Sequence, residues 1–425
     1  MMLSLQSLQA ALTPLVAGKL RPAREADVVA GVQPQVVVEP GTEEEVSAVL
    51  AFASREGLKV LPRGGGTQLT LGSAPTGGDI ILSTARLNQL VEHAPHDMTA
   101  TVQAGLLLSD FQVKLANAQQ WLALDAVLKP GATIGGVIAT NISGARRLRF
   151  GAVRDQIIGV RVVLSDGTIA SGGGKVVKNV AGYDLPKLFT GSLGTLGVIV
   201  AATFRLYPQA SASRTVVLSA PDLAPLGELA VRVINSTLVP TLVDICGSTA
   251  QEQGYTMVVR FEMGPAAAEQ QANTLIEMAQ NKDARILPDD EEMQFWTRIA
   301  KPPASTGTTT LTLKASILPT ETIYWLTSLQ SLAQKSGLSV DWCAHAGHGL
   351  IFATLAGEDS ALISAVAELR RAATDLRGSL IVLENPALLQ LDAWGTPPAL
   401  HIMRRLKERF DPTATLNPGR FVGGI

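Results

Sequence analysis

The stretch Pro62-Arg63-Gly64-Gly65-Gly66-Thr67 decides how the first half of this chain should fold. It follows Leu58 to Leu61, a short run of three apolar residues and Lys59 that predicts a β-strand. Three successive glycines let consecutive backbone N–H groups converge on an anion, and a threonine hydroxyl adds another donor. The pattern therefore favours a phosphate-binding loop, although a plain tight turn explains this segment equally well when it is taken alone.

A β–α–β pattern leads into the loop. Val36 to Glu39 is a β-branched run, and Thr42 then stands three residues before Glu45, which is the spacing of a helix-capping box. Apolar residues follow at helical intervals until Gly57. A Rossmann NAD site begins a helix directly at its glycines, whereas Gln68 to Gly72 is typical of a loop. We therefore exclude a Rossmann site.

Glycine is concentrated in this part of the chain. Of the 39 glycines, 21 lie between residues 61 and 210, and glycine is needed where the backbone takes positive φ or approaches another group closely. Pro130 to Gly136 predicts a helix that begins with a glycine-rich turn, which suits either a phosphate or close helix packing. Gly191 to Ile199 predicts a tight turn entering a strand. The cluster marks a cofactor cradle.

Composition narrows the class of protein. The chain has 425 residues, is 46% hydrophobic and carries a net charge of −2, so it lacks the basic excess of a nucleic-acid binder. Cys246 and Cys343 are its two cysteines, too few for an iron–sulfur cluster or a thiolate zinc site. They cannot build a disulfide framework either, which favours a reducing compartment. Redox chemistry would therefore need an organic cofactor.

The second half of the chain differs in composition and in its pattern of predicted elements. After Pro208, β-rich runs alternate with helical segments and glycine becomes sparse, which predicts an α+β unit with an antiparallel sheet. The opening residues predict a short helix, and no stretch of about 18 residues is apolar enough for a membrane span. The expected division is residues 1–208, 209–410 and a segment, 411–425, that returns to the first unit.

Taken together, the motifs resemble one family. PRGGGT, PGATIGG, FGAVRDQIIGVRVVLSDG and GYDLPKLFTGSLGTLGVI, within residues 30–208, resemble the FAD-binding half of the vanillyl-alcohol oxidase / p-cresol methylhydroxylase (PCMH) flavoproteins. The ending FDPTATLNPGR resembles the C-terminal signature of the D-2-hydroxyacid dehydrogenases in that superfamily. Among these the chain resembles above all the smaller FAD-binding (E) subunit of bacterial glycolate oxidase.

The resemblance implies an α+β fold, a two-part PCMH-type FAD-binding domain with an α+β cap domain. It also implies that the glycine segments hold FAD. Because residues 63–72 contain no histidine for a covalent bond, the FAD should be non-covalent. The implied FAD-binding residues are Pro62, Arg63, Gly64, Gly65, Gly66, Thr67, Pro130, Gly131, Ala132, Thr133, Gly135, Gly136, Asn141, Ser143, Gly194, Gly197, Val198 and Ile199.

The catalytic half departs from the relatives. Their motif His-x-Gly-Asp-Gly-Asn-x-His matches a run from His345 that holds His348 at the Asp position and Phe352 at the second His position. Asn385 stands where the later Glu-His-Gly motif has its histidine, so we expect no metal site. The resemblance offers Arg298, then Lys314, for a substrate carboxylate, and surface charges explain both equally well.

The remaining candidates concern proton transfer and one basic run. His345 or His348 is the only histidine base near the motif. Arg146-Arg147-Leu148-Arg149 could contact FAD phosphates, form a subunit interface or lie in a solvated loop.

The expected function is an FAD-binding subunit of a glycolate oxidase (glycolate dehydrogenase) complex, which oxidises glycolate to glyoxylate and passes electrons to a partner. The resemblance implies a larger FAD-binding subunit and an iron–sulfur subunit as partners. It also implies a place in the cytoplasm, with attachment to the inner membrane through those partners as an open alternative. A self-sufficient FAD-dependent D-2-hydroxyacid (D-lactate type) dehydrogenase and a non-catalytic flavin or structural subunit remain the other interpretations.

Overall fold

The structure is a computed structural model of the chain. It describes residues 4–17, 19–125, 129–175, 182–249, 254–280, 283–299, 309–386 and 389–425.

The first half contains eleven described strands and seven described helices. The strands are β1 Leu20–Pro22, β2 Val36–Val38, β3 Val60–Arg63, β4 Ile80–Ser83, β5 Leu90–Ala94, β6 Thr99–Gln103, β7 Gln120–Trp121, β8 Ile157–Val163, β9 Ile169–Gly173, β10 Val198–Arg205 and β11 Tyr207–Pro208. The helices are α1 Leu5–Leu12, α2 Glu43–Glu56, α3 Leu108–Ala116, α4 Ile134–Thr140, α5 Arg147–Phe150, α6 Val153–Gln156 and α7 Leu185–Phe189.

Two sheets of four and five strands carry this half, and β7 pairs with β11 in a third sheet of two strands. The first has the order β1-β2-β4-β3, with β2, β4 and β3 parallel, and the second has the antiparallel order β5-β6-β10-β8-β9. The predicted helix α2 is capped at its N-terminus by Thr42, whose hydroxyl accepts from the Glu45 amide, and at its C-terminus by Gly57, with φ 69°. Because Gly57 has no Cβ, it adopts this left-handed conformation without strain.

The second half contains β12 Ala212–Ala220, β13 Leu242–Ser248, β14 Tyr255–Met263, β15 Arg285–Ile286, β16 Thr310–Ser316, β17 Ser339–His345, β18 Leu350–Ala356 and β19 Ser379–Glu384. Its helices are α8 Leu223–Ile234, α9 Pro265–Ala279, α10 Asp289–Ile299, α11 Thr322–Ser336, α12 Asp359–Asp375 and α13 Leu400–Phe410. The strands form one antiparallel sheet, ordered β15-β12-β14-β13-β17-β18-β16-β19. The α+β fold with an antiparallel cap sheet is therefore confirmed.

One face of the cap sheet is its core face. Residues such as Val259 and Leu313 point from the strands onto Leu226, Leu329 and Leu369 of the covering helices, and all of them are buried. Side chains alternate along each strand, so the intervening residues point from the opposite face toward the first half of the chain. This second face holds the polar candidates.

The end of the chain returns to the first half. Leu416 forms a parallel bridge with Val60 of β3, and the Val60 amide donates to the Thr415 carbonyl. The buried Lys407 ammonium of α13 donates to the carbonyl oxygens of Thr195 and Leu416. We propose the division at 209 and 411 as domain boundaries, with α13 already in contact with the first half of the chain.

Two features bear on earlier expectations. Cys246 and Cys343 lie opposite each other on β13 and β17 and are joined by a disulfide bond. No local pattern predicts this bond, because the cysteines are separated by 97 residues and the strand register brings them together. Among the described helices, none has the length and apolarity needed to cross a membrane.

Candidate functional site

The first two glycine segments are packed against each other. A Cβ atom added to Gly65 would lie 1.7 Å from the Gly131 carbonyl oxygen, and one added to Gly64 would lie 2.1 Å from the Thr133 hydroxyl. Any larger side chain at either position would push the two segments apart. The spacing of about 68 residues in the sequence therefore becomes a direct backbone contact in the fold.

The contact leaves polar groups free for a ligand. Thr133 is the N-cap of α4, and its hydroxyl accepts from the Gly136 amide. Within the described chain, the Gly65 and Gly66 amides make no hydrogen bond to protein. The side-chain oxygens of Gln68 and Asn141 are buried without a partner. A helix N-terminus, free amides and orphaned oxygens fit a phosphate-bearing cofactor with a polar ring edge.

The third glycine segment docks onto the same helix. The Gly191 amide donates to the Ile138 carbonyl and the Leu193 amide to the Ala139 carbonyl, both on α4. Gly194 has φ 68°, and a Cβ there would lie 3.5 Å from the Pro62 ring. All three segments therefore surround one cradle, with Pro62 at the end of β3 between them.

Some candidates have structural roles at its margin. Gly135 packs against Ala104, where a Cβ would lie 2.8 Å from the alanine methyl, as close helix packing requires. Gly197 faces Phe189 in the core, and Val198 and Ile199 are buried within β10. Of the remaining candidates, Pro130 is exposed, whereas Ala132 and Ser143 are buried.

The Arg63 side chain forms an ion pair with Asp27 and does not project freely from the loop. Its guanidinium lies 2.8 Å from Asp27, which also accepts from Arg21 at 2.6 Å. Hydrogen bonds from Arg21 lower the pKa of Asp27 well below its usual range; burial opposes this effect and Arg63 reinforces it. Arg63 thus anchors the start of the glycine loop, and the loop amides are left to bind an anion.

The cap face opposite this cradle carries an isolated cation. Lys314 of β16 lies between Phe352 and Ile381 on the neighbouring strands. Burial, with the nearby positive charge of Arg147, lowers its pKa to about 8. In the described part of the chain no carboxylate or hydrogen-bond acceptor contacts its ammonium. A desolvated cation without a partner is a binding site for an anionic group.

The two histidines lie beside each other at the end of β17. His345 Nδ1 lies 2.8 Å from Asp244 Oδ1, and its Nε2 is buried without a partner. Burial disfavours the charged imidazole, but the attraction and hydrogen bond of Asp244 outweigh it and raise the pKa of His345. His348 has both ring nitrogens buried and unpartnered. Burial, His345 and Arg147 lower its pKa to about 3.

The basic run that begins at Arg146 connects the two halves. The Arg146 guanidinium lies 3.0 Å from Glu262 of β14 and 4.8 Å from the centre of the Trp121 ring. A Cβ on Gly347 would lie 2.7 Å from the Leu148 side chain. These contacts lie within the chain, between its two halves, which none of the three interpretations of the run anticipated.

Sequence reasoning missed three acidic residues of the site. Asp244 fixes His345, and Glu262 pairs with Arg146. Asp125 accepts from the Gly144 and Arg146 amides at 2.7 and 2.8 Å, and burial raises its pKa. Their partners are distant in sequence. The one signal in the sequence is that each of these acids stands in a mainly apolar run, where a charged side chain needs a partner.

The remaining candidates are placed as follows. Glu384 pairs with Lys129 at 2.5 Å, and Phe352 packs edge-on against His345 with 5.4 Å between ring centres. Phe352 thus fills the place of a second ligand histidine with a hydrocarbon ring. Arg298 belongs to α10, but its side chain lies outside the described residues.

Two family models match the sequence. The first, described as "FAD binding domain", covers residues 34–173. The second, described as "FAD linked oxidases, C-terminal domain", covers residues 390–421. The two matches include the first two glycine segments and the run that closes onto β3.

Full-length relatives agree with these models. The chain is 29% identical over 420 residues to the glycolate oxidase subunit GlcD of Bacillus subtilis, covering 91% of this chain and 88% of that protein. It is 30% identical over 410 residues to a D-lactate dehydrogenase of Archaeoglobus fulgidus, covering 91% of both. A solved alkyldihydroxyacetonephosphate synthase superposes with a TM-score of 0.69, covering 92% and 78% of the two chains at 16% identity. That last similarity shows the fold alone.

Proposed function

Since the chain belongs to the FAD-linked oxidases that join an FAD-binding domain to a C-terminal oxidase domain, we propose that it is a flavin-dependent dehydrogenase of 2-hydroxy acids. The observation that carries the proposal is Lys314, a half-buried cation without a partner in the described chain, on the cap face turned toward the FAD-binding half. FAD supplies the acceptor for the electron pair leaving the substrate α-carbon.

The glycine cradle would hold the cofactor. The amides of Gly65 and Gly66 would bind its pyrophosphate, as would the N-terminus of α4 capped by Thr133. Asn141 and Gln68 would direct their orphaned oxygens to N–H groups of the flavin or its chain. The FAD is proposed to be dissociable, because residues 63–72 contain no histidine.

Lys314 would bind the substrate carboxylate. Its ammonium is desolvated by Phe352 and its neighbours, so an ion pair there is stronger than one in water. Arg147, whose charge depresses the pKa of Lys314, adds to the positive potential that favours an anionic substrate. A 2-hydroxy acid held by its carboxylate would place the α-hydroxyl toward the histidine pair.

His345 would take the hydroxyl proton. Asp244 fixes the Nδ1 of His345, and the Nε2 of this ring has no partner among the described residues. An Asp–His pair of this kind holds the imidazole in one tautomer and orients it. Neutral His348, with ring centres 5.5 Å apart, would line the same space without adding charge.

We also propose that the chain works in a glycolate-oxidase-type complex. One relative is named as a glycolate oxidase subunit, and two cysteines cannot supply an iron–sulfur cluster for onward electron transfer. Larger FAD-binding and iron–sulfur partner subunits would receive the electrons, in the cytoplasm and at the inner membrane through those partners. The relative named D-lactate dehydrogenase favours, as a second candidate, a dehydrogenase that needs no partner.

Anaerobic titration of the FAD-loaded chain tests these candidates. Glycolate or D-lactate should bleach the flavin absorbance, and Lys314→Met should slow bleaching at least tenfold, whereas the exposed Lys335→Met should not. Bleaching by the chain alone supports the independent dehydrogenase. Bleaching only after addition of its complex partners supports the subunit. A wild-type flavin that neither hydroxy acid bleaches, with or without the partners, overturns the proposal.

A further inference from the structure

Four side chains of the types that bind zinc stand in a two-by-two array on the cap sheet. Asp244 and Cys246 lie two residues apart on β13, and Cys343 and His345 lie two residues apart on β17. The antiparallel register pairs Cys246 with Cys343, and one further step in it sets Asp244 beside His345. Residues two apart on a strand share one face, so all four project from the same face.

This face is the one turned away from the helices of the cap. The alternating neighbours, Ile245 and Ala344, belong to the buried core on the other side. Asp244 and His345 are both buried, and the cysteines are half-buried. The array is therefore shielded from bulk water, yet one edge remains accessible to a small ion.

Three of the four donor atoms already lie close together. One ligand atom each from Asp244, Cys343 and His345 lies within 4.8 Å of the others, and the Cys246 sulfur is bonded to that of Cys343. Two thiolates, an imidazole and a carboxylate make a complete tetrahedral set for Zn²⁺. While the disulfide is closed, its sulfurs carry no charge and are poor ligands for the ion.

We propose that Asp244, Cys246, Cys343 and His345 form a redox-gated site for a divalent zinc-like ion. A dithiol reductant would break the S–S bond, supply two electrons and two protons, and leave as its own disulfide. The ion would then displace the two thiol protons and bind two thiolates, one imidazole nitrogen and one carboxylate oxygen. In the reverse direction a disulfide oxidant would take the two electrons by thiol–disulfide exchange and leave as two thiolates, so that the Cys246–Cys343 bond closes and the ion is released.

This site differs from the metal motif of the relatives. That motif needs a second histidine, where this chain has Phe352, and a Glu-His pair, where it has Glu384 and Asn385. Three of the four ligands proposed here lie outside the motif, and the fourth, His345, would be withdrawn from proton transfer while the ion is bound. The thiol–disulfide state would thus set whether the neighbouring substrate site can work.

Cobalt(II) binding to the full-length FAD-loaded chain tests the proposal. After reduction with a phosphine, which takes oxygen from water as it opens the disulfide, one Co²⁺ per chain should give thiolate-type d–d bands in the red, beyond the flavin absorbance. Zinc should displace it. The oxidised chain should show no such bands. Asp244→Asn should weaken Co²⁺ binding at least tenfold, whereas Asp341→Asn, an exposed acid on the same face of β17, should not.

Cys343→Ser and Cys246→Ser should each abolish the thiolate bands. If a variant does not fold, alkylation of the reduced wild-type cysteines must give the same loss. Absence of the bands in the reduced wild type, or equal bands in the oxidised chain, overturns the proposal. Flavin bleaching is not the readout, so failure of the hydroxy-acid function would leave this result unaffected.

Discussion

The guanidinium of Arg420 lies 2.8 Å from the carbonyl oxygen of Leu71, a residue 349 positions earlier in the chain. A second N–H group of Arg420 donates to the Leu69 carbonyl at 3.0 Å. Burial lowers the pKa of Arg420 to about 10. The closing segment thus holds the far end of the glycine loop by hydrogen bonds to its backbone.

Arg420→Ala should therefore release this loop. Two carbonyl groups would lose their donor, and a buried unpaired polar group costs about 1–3 kcal/mol. We expect lower stability in urea unfolding and at least tenfold weaker FAD retention, measured as flavin absorbance per protein. Arg409→Ala, on the exposed side of α13, is the matched control. Equal flavin content in the two variants would contradict the role given to Arg420.

Gly65→Ala and Gly65→Asp should both lose FAD. The alanine Cβ would lie 1.7 Å from the Gly131 carbonyl oxygen, so the two glycine segments must separate. The aspartate adds a negative charge beside the pyrophosphate. Gly264→Ala is the control, because nothing lies within 4 Å of the Cβ position there. Full flavin content in Gly65→Ala would show that the cradle lies elsewhere.

Lys314→Met should stabilise the protein while it removes substrate binding. Burial lowers the pKa of Lys314 from 10.5 to about 8, so the folded state at pH 7 carries a penalty that the unfolded chain lacks. The penalty is on the order of 3 kcal/mol. Thermal unfolding of the variant at pH 7 should show a higher Tm, and an unchanged or lower Tm would argue that Lys314 has an acceptor.

The same group sets a pH dependence with a definite sign. Below pH 8 Lys314 is charged and binds the carboxylate, and above it the charge is lost. The kcat/KM for a 2-hydroxy acid should therefore fall as pH rises through about 8. Stability should rise between pH 8 and 10.5, because the unfolded chain then binds more protons. Lys314→Arg should remove the alkaline fall in kcat/KM.

Arg146 and Glu262 should be energetically coupled. Their ion pair, 3.0 Å long and largely buried, ties the FAD-binding half to the cap. Removing Arg146 leaves a largely buried carboxylate whose remaining cation among the described residues is Arg260, at 3.5 Å, so Arg146→Ala should destabilise by about 2–4 kcal/mol. A double-mutant cycle with Glu262→Ala, followed by urea unfolding, measures the coupling. Simple additivity of the two substitutions would contradict it.

Low pH should weaken the ion pair between Arg146 and Glu262. Burial raises the pKa of Glu262, but the charges of Arg146 and Arg260, with the Arg146 hydrogen bond, outweigh it and lower that pKa. Its contribution is thus full above the unfolded pKa, near 4.5, and is lost as pH falls below that value. The stability difference between wild type and Glu262→Gln should shrink over that acidic range.

The fold was predictable where local rules suffice. Thr42 as a helix cap, Gly57 as a helix end and the Thr133 turn each depend on a few neighbouring residues. The sequence also located the glycine segments, because a strand followed by consecutive glycines is uncommon. Strand ends were less certain: the run predicted at Leu58 forms its strand only from Val60, since the preceding residues close the α2 turn.

The cap site was less predictable, because its contacts depend on register. Asp244 and His345 are 101 residues apart, and a shift of one residue would turn either side chain to the other face. Lys314 was proposed from family resemblance, yet its isolation arises from Phe352 and Ile381 on two other strands. Pairing across strands distant in sequence leaves no local pattern.

The bridge between Val60 and Leu416 has a consequence for how the protein is made. The ribosome synthesises β3 long before residues 411–420, and the entire cap is made in between. The edge of β3 in the nascent FAD-binding half therefore stays unpaired until the end of synthesis. Leu416 is fully buried against that edge. Expression of residues 1–208 alone should therefore yield an aggregation-prone fragment, whereas a circular permutant that places 411–425 ahead of residue 1 would let this half close as it is synthesised.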